Sequence, residues 1–506
     1  MITSDRHQGE RSLRAPGAIL LISCYELGHQ PIGIARPMGA LEQEGYTPAS
    51  LDIAVEAFDP DRVTHARFVG ISVPMHTALR LGVRVALLVR RINPSCHICF
   101  FGLYASLNAE YLLNGSQPPA ADTVIGGEYE LPLVNLVAVL DQGCDKGKEM
   151  PPPEGVSLRG RLTGPHLQRS RSQVPMPARR DLPPLSRYAS LAHAGRQHVA
   201  GYVEASRGCL HTCLHCPIVP VYEGRFFLVP EDMVLQDIRQ QVQAGATHIT
   251  FGDPDFLNGP GHSLSIVRAM HAEFPHVTFD FTAKIEHLLK RRAIFPELAT
   301  LGCLFVISAV ESFSDYVLAH LNKGHTRADI ITALGIVRQA GIIMRPSLVA
   351  FTPWTSLEDY KDLFDLVETH DLIDAIDPVQ YSVRLLIPPG SALLDQPDQP
   401  APIRKFLGAL DQAGFQYLWT HPDPRMDALH REVTAVVEEA GKAGEDPVLT
   451  FDRLRGLAYR AAGRTAPTAS RCDRHPSQRP IPRMTEPWFC CAEPTRDQLM
   501  ILELNR

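Results

Sequence analysis

Between residues 199 and 395, short apolar runs of strand length alternate with helical patterns, and this rhythm constrains the fold more than any other feature of the chain. The runs fall at 201–204, 248–252, 278–282, 304–308, 343–349 and 379–386. Helical periodicity occupies 230–244, 263–273, 313–321, 327–340 and 357–370 between them. Parallel strands need crossover connections, and the helices supply them, so six such units predict a parallel barrel open on one side. Residues 17–140 repeat the rhythm, with strands at 17–23, 68–73, 97–101 and 123–125 and helices at 37–45 and 77–92. That pattern predicts a doubly wound α/β domain, whose Gly126-Gly127-Glu128 turn sits just past a strand end, where such folds put ligands. Residues 141–198 are rich in Pro, Arg and Ser and read as a linker. Residues 396–506 begin with helical patterns at 431–440 and 451–462 and end in an irregular, Pro-rich tail.

At 506 residues the chain exceeds one ordinary core. A net charge of −7 argues against a general nucleic-acid or anionic-membrane binder. No apolar run approaches the roughly 20 residues that span a bilayer. The polar first residues do not read as a signal peptide, so a cytoplasmic location is expected. In that compartment the 11 cysteines point to metal or redox chemistry before disulfides. Cys209, Cys213 and Cys216 cluster, Cys490 and Cys491 are adjacent, and Cys96 and Cys99 form a CxxC pair read as buried small hydrophobes rather than a redox couple.

The C-x3-C-x2-C triad follows the first predicted barrel strand directly. Three thiolates in eight residues suit an iron–sulfur cubane with one iron left open. The residues alone also allow a structural zinc, with His211 or His215 closing the coordination.

With its flanking sequence, the stretch from Glu204 to Pro217 resembles the radical S-adenosylmethionine (SAM) superfamily, and the likeness extends over about residues 17–395 to members with an N-terminal cobalamin-binding-like domain. The resemblance implies an α/β chain in which that domain precedes a partial (β/α)6 radical SAM barrel and a small helical, irregular C-terminal region. It implies that Cys209, Cys213 and Cys216 hold a [4Fe–4S] cluster whose fourth iron takes the amino and carboxylate groups of SAM. Phe251-Gly252-Asp253-Pro254-Asp255-Phe256 stands where the family binds the SAM ammonium, which implies Asp253 or Asp255. Ser308-Ala309-Val310-Glu311-Ser312 with Leu321-Asn322-Lys323-Gly324 resembles the family's element facing the SAM ribose and carboxylate, which implies Ser308, Glu311 and Lys323. An electron donor such as flavodoxin or ferredoxin is implied as partner.

The N-terminal region lacks the D-x-H-x-x-G cobalt-ligating signature: His29 falls near the histidine's place, with Leu27 and Ile32 where Asp and Gly belong, so cobalamin is a possible cofactor without a histidine ligand. The tail Cys490-Cys491-Ala492-Glu493-Pro494 resembles the CUAEP/CCAEP-tail group of radical SAM proteins, in which selenocysteine takes the second position. That implies a reactive Cys491 partnered by Cys490, with Cys472 as a further candidate. The leading expectation is therefore a transferase that acts on a small substrate captured by tail thiols. Arsenite is one such substrate, with 3-amino-3-carboxypropyl transfer forming a C–As bond. The alternatives are a cobalamin-dependent methyltransferase and, outside enzymes, a zinc-bound regulatory or binding protein. Methylthiolation is disfavoured because neither an N-terminal three-cysteine domain nor a C-terminal RNA-binding barrel is apparent.

Overall fold

The computed structural model describes residues 12–115, 119–146, 152–167, 174–397, 401–467 and 481–486. Strands β1 (Ile19–Ser23), β2 (Ala49–Asp52), β3 (Phe68–Ser72), β4 (His97–Phe101) and β5 (Thr123–Ile125) form a parallel sheet in the order β2-β1-β3-β4-β5. β6 (Val156–Leu158) adds antiparallel to β5. β1 and β3 are apolar without interruption because helices cover both faces, which made them legible in sequence. β2 was not, being four residues long and half polar. Cys96 and Cys99 are buried in this sheet's cores, and burial pushes both thiols up to about 12, so they are inert packing groups.

The helix expected at 37–45 runs from Ile32 to Gln43 and carries Pro37 inside it. The segment from 174 onward lies along this helix, and Ala178 donates its N–H to the Ala35 carbonyl (2.8 Å). Gly39 makes room: a Cβ there would lie 1.9 Å from the Met176 carbonyl oxygen. Further along the same segment, Leu182 and Leu185 are buried in the cores of the first domain and the barrel respectively.

The second sheet is built from β7 (Ser190–His193), β8 (Arg196–Val203), β11 (His248–Phe251), β12 (Thr278–Ala283), β13 (Cys303–Glu311), β14 (Ile343–Leu348) and β17 (Arg483–Met484), in the order β14-β13-β12-β11-β8-β7-β17. Its five strands β8 and β11–β14 are parallel, giving a curled half-barrel with helices packed outside. Hairpin β9 (Ser206–Gly208) and β10 (Phe226–Leu228) stands at its mouth, and β15 (Leu407–Asp411) and β16 (Gln416–Trp419) pair separately. The sixth unit is reduced. Residues 379–386 form a 3-10 turn (Pro378–Ser382) and one parallel bridge, Phe351 to Arg384. The Leu348 N–H that a sixth strand would engage is taken by the Gln380 side chain (2.8 Å).

The C-terminal helices Pro424–Ala443 and Pro447–Ala461 bury Met426, Leu429, Val433, Phe451 and Leu454 in the barrel core. β17 is antiparallel to β7 and so runs in the same direction as β8. Arg345 donates to the Pro482 carbonyl (2.7 Å) and Arg483 pairs with Asp377 (3.2 Å), so residues 481–486 tie the two edges of the open sheet together. Among the described residues no helix is long and apolar enough to cross a membrane.

In a free helix, Gly39→Ala would gain about 1 kcal/mol. Against the Met176 carbonyl it is expected to cost roughly 1–3 kcal/mol instead, read as a lowered thermal midpoint.

Candidate active site

The carboxyl end of β8 runs into Glu204-Ala205-Ser206-Arg207-Gly208-Cys209, and the β9–β10 hairpin folds this entry back on itself. Gly208 sits at φ +74°, and a Cβ there would lie 2.4 Å from the Arg225 carbonyl oxygen, so only glycine allows the turn. The same carbonyl accepts the Cys209 N–H (3.0 Å), and the Cys213 carbonyl accepts that of Cys216 (3.1 Å). Cys213 is buried, while Cys209 and Cys216 are half-buried. Burial pushes the Cys216 thiol up to about 12, a cost that bound iron would offset by holding the thiolate.

Thiolates on one zinc would lie about 3.8 Å apart. Among the described residues, the set of three His, Cys, Asp or Glu donors within 4.8 Å of one another is His211, Asp255 and His287, not the three thiols. The histidines that could complete a zinc site are also engaged elsewhere. His215 Nε2 lies 3.3 Å from Glu311 Oε1, and His211 faces Asp255, Lys284 and Glu286. The spread thiols fit a cubane better than a single ion.

The predicted SAM-facing residues divide. Glu311 and Lys323 come together under the loop: Lys323 Nζ donates to Glu311 Oε1 (3.1 Å), both are buried, and the charge of Lys323 is felt by Cys216. Burial alone would raise the Glu311 carboxyl, but Lys323 and His215 hold it down to about 2. Glu311 also adopts φ +64° where the β13–β14 register slips, the kind of strained strand end that clusters at functional sites. Ser308 shares its strand face with the core residues Val306 and Val310, and its buried Oγ has no hydrogen-bond partner. Asp253 holds the entry to the cysteine loop, accepting from Ser206 Oγ (2.5 Å) and the Ala205 N–H (3.0 Å); burial pushes its carboxyl up to about 7. Asp255 accepts from the N–H groups of Leu257 (2.9 Å) and Lys284 (3.2 Å) and from His287 Nδ1 (2.8 Å). Burial would raise it, but His211 and His287 hold it below its ordinary value. Cys490, Cys491 and Cys472 lie outside the described residues.

The residue that sequence reading missed is Arg207, two before the first cysteine. Its guanidinium reaches Glu128 Oε2 (2.7 Å), Glu130 Oε1 (2.5 Å) and Glu204 Oε2 (3.2 Å), all within a buried cluster. Glu128 also accepts from Tyr222 Oη (2.5 Å), just beyond the cysteine loop. The turn after β5 thus holds both ends of that loop. The signal was available in Gly126-Gly127-Glu128-Tyr129-Glu130: two acids beside a strand exit call for a buried cation.

At the carboxyl ends of β1 and β2 lies a cavity of about 320 Å³, lined by Cys24, Tyr25, Ile53, Val55, Leu81 and Tyr188 among others. His29 does not join it: its ring stacks on Tyr202 of β8 (4.5 Å between centroids), and burial pushes it down to about 4. The lining offers no imidazole, and burial holds the Cys24 thiol protonated. With Arg187, Thr485 and Glu486 also in the lining, the cavity presents a mixed polar and apolar wall.

A thiol triad at the first strand's carboxyl end of a parallel half-barrel defines a class, and residues 203–367 match the family model of the Radical SAM superfamily. The chain carries a radical SAM domain over those residues. Over 223 residues it is 26% identical to a tRNA-2-methylthio-N(6)-dimethylallyladenosine synthase of Chlorobium luteolum, covering 40% of this chain and 47% of the relative. Over 341 residues it is 23% identical to an uncharacterized methyltransferase of Pyrococcus horikoshii, covering 66% and 69%. The match to the first of these spans about half of that relative's length. The fold is similar to the cobalamin-dependent SAM radical enzyme OxsB with aqua-cobalamin bound (TM-score 0.66, 16% identity, 83% of this chain and 67% of that one). It is also similar to the radical SAM methyltransferase TsrM of Kitasatospora setae with cobalamin and a [4Fe–4S] cluster bound (TM-score 0.60, 15% identity, 88% and 99%).

Replacing Arg207 with Met leaves Glu128 and Glu130 buried without their cation. A loss of about 3–5 kcal/mol is expected, with reduced cluster retention measured as iron and sulfide per chain. Asp253, raised when folded, contributes stability that is present below about pH 4 and lost as pH rises through about 7. Thermal midpoints should show this falling component, and Asp253→Asn should remove it.

Proposed function

We propose that this chain is a cobalamin-dependent radical SAM methyltransferase acting on a small molecule inside the half-barrel. One observation carries the reading: the strand-end turn of the flavodoxin-like domain is fastened to the cysteine loop through Arg207, Glu128 and Glu130, so a cofactor at that domain's carboxyl edge would face the cluster. Cys209, Cys213 and Cys216 would hold a [4Fe–4S] cluster, which when bound would supply the electron for reductive cleavage of SAM. Cobalamin supplies a methyl group to be transferred.

The remaining work falls to the chain's own side chains. Lys323 and Glu311 pair below the loop, and His215 of the loop reaches the same Glu311 oxygen. Tyr202, Thr250 and Asp280 stand in register across β8, β11 and β12, and Thr250 Oγ1 donates to Asp280 (2.7 Å). This polar strip suits a small polar substrate held in a fixed pose. The likeness to OxsB and TsrM spans both domains and supports the reading.

The test is anaerobic reconstitution with iron, sulfide and hydroxocobalamin, followed by SAM and dithionite. The expected result is corrin absorbance co-eluting with the protein, and 5′-deoxyadenosine with S-adenosylhomocysteine by mass spectrometry. A protein with a full cluster that retains no corrin would overturn the proposal.

A second reading keeps the tail thiols. β17 runs in the direction of β8, and Glu486 packs on Gly28 at the first domain's carboxyl edge. Three residues, at most about 14 Å of chain from Cα to Cα, separate it from Cys490. On this reading Cys490 and Cys491 capture a thiophilic substrate such as arsenite for 3-amino-3-carboxypropyl transfer. 5′-Methylthioadenosine that increases with arsenite, and no longer does so after Cys490→Ser and Cys491→Ser, is the expected outcome; arsenite-independent nucleosides would exclude it.

A further inference from the structure

We propose that His211, Asp255 and His287 form a mononuclear site for a divalent transition-metal ion, separate from the cluster thiols. The three side chains are buried or nearly so, and each offers a donor atom within 4.8 Å of the other two. His211 Nε2 is buried and faces the Asp255 carboxylate. It lies 3.5 Å from Asp255 Oδ2, too far for a good hydrogen bond. That separation matches two ligands on one ion: donors at about 2.1 Å in tetrahedral geometry stand about 3.4 Å apart.

The surroundings orient the donors as metal sites require. The Leu257 N–H holds Asp255 Oδ1, and the Lys284 N–H steadies Oδ2, so the carboxylate cannot rotate away. On the far side of the His211 ring, Nδ1 faces the Lys284 ammonium, with Glu286 Oε2 3.5 Å away; ligation through Nε2 needs the proton on Nδ1, directed to Glu286 in place of the Lys284 contact. The Lys284 ammonium lies on that same far side, 3.3 Å from Nδ1 and 3.5 Å from Glu286, so it does not occupy the ion's position and its charge is paired. His287 Nδ1, 2.8 Å from Asp255 Oδ2, must release its proton and draw back by about 0.6 Å when an ion enters. Two imidazoles and a carboxylate select zinc, iron(II), cobalt(II) or manganese over magnesium and calcium. Three protein ligands leave a coordination position open. Because His211 lies between Cys209 and Cys213, such an ion would tie the cysteine loop to the end of β11 and to the helix Ile285–Lys290.

Cobalt(II) is the probe, added to the full chain carrying Cys209→Ser, Cys213→Ser and Cys216→Ser, so that thiolates of the triad cannot bind it. One equivalent is expected, with visible ligand-field bands, no thiolate charge-transfer band, and loss of binding on adding His287→Ala. A folded triple variant, by circular dichroism, that binds no cobalt would overturn the proposal, as would binding indifferent to His287→Ala. If the triple variant does not fold, elemental analysis of reconstituted wild-type protein decides. With one equivalent of zinc added after reconstitution, one zinc or one iron beyond the four cluster irons, removed by His287→Ala with sulfide unchanged, supports the site; neither ion in excess of the cluster overturns it.

Discussion

The buried ion cluster around Arg207 is the constraint on which the rest of the molecule depends. A guanidinium two residues before the first cysteine is shared among Glu128, Glu130 and Glu204, and Glu128 reaches past it to Tyr222 on the other side of the loop. Isolated, each of these charges would be expensive to bury; together, with bidentate geometry, they satisfy one another. Arg36, itself buried, adds a second cation beside Glu204. The result is that the cysteine loop and the strand-end turn of the first domain share one buried charge cluster.

Below the loop a second charged group does the same from the barrel side. Glu311, forced to φ +64° by the slip in β13, meets Lys323 and His215 where an ordinary strand would have ended in a backbone pair. The loop is therefore gripped from two directions by charge pairs and not by apolar packing alone. That suits a site whose cargo changes charge: fixed dipoles and ions do not reorganise when an electron arrives. The segment 481–486 completes the enclosure, pairing with β7 on one edge of the sheet and meeting Arg345 and Asp377 on the other.

Much of this was legible in sequence because the signals were local. Strands buried on both faces read as continuous apolar runs, so β1, β3, β4 and β11–β14 emerged near their observed positions. Helices opened by capping boxes, Thr326 with Asp329 and Ser356 with Asp359, emerged nearly as well. The expected sixth strand did not form, because the Gln380 side chain claims the backbone donor of Leu348 that the strand needed, a competition no periodicity reveals. Within the site, the motif named Glu311 and Lys323, and the structure pairs them with each other. Asp253 reads identically to an acid awaiting an ammonium, yet its oxygens are spent on Ser206 and Ala205.

The sequence alone determined that three soft metal ligands stand together after a strand in a β/α rhythm, a spacing folding cannot alter, and its flanking motifs resemble the radical SAM superfamily, whose family model matches residues 203–367. Only the tertiary structure decided which charges meet. Arg207 and Glu130 are 77 residues apart, and His215 and Glu311 96 apart, so their pairing depends on how two sheets dock and where one strand slips. Buried electrostatics is set by distances in space, and a linear chain does not carry those distances until its cores have packed.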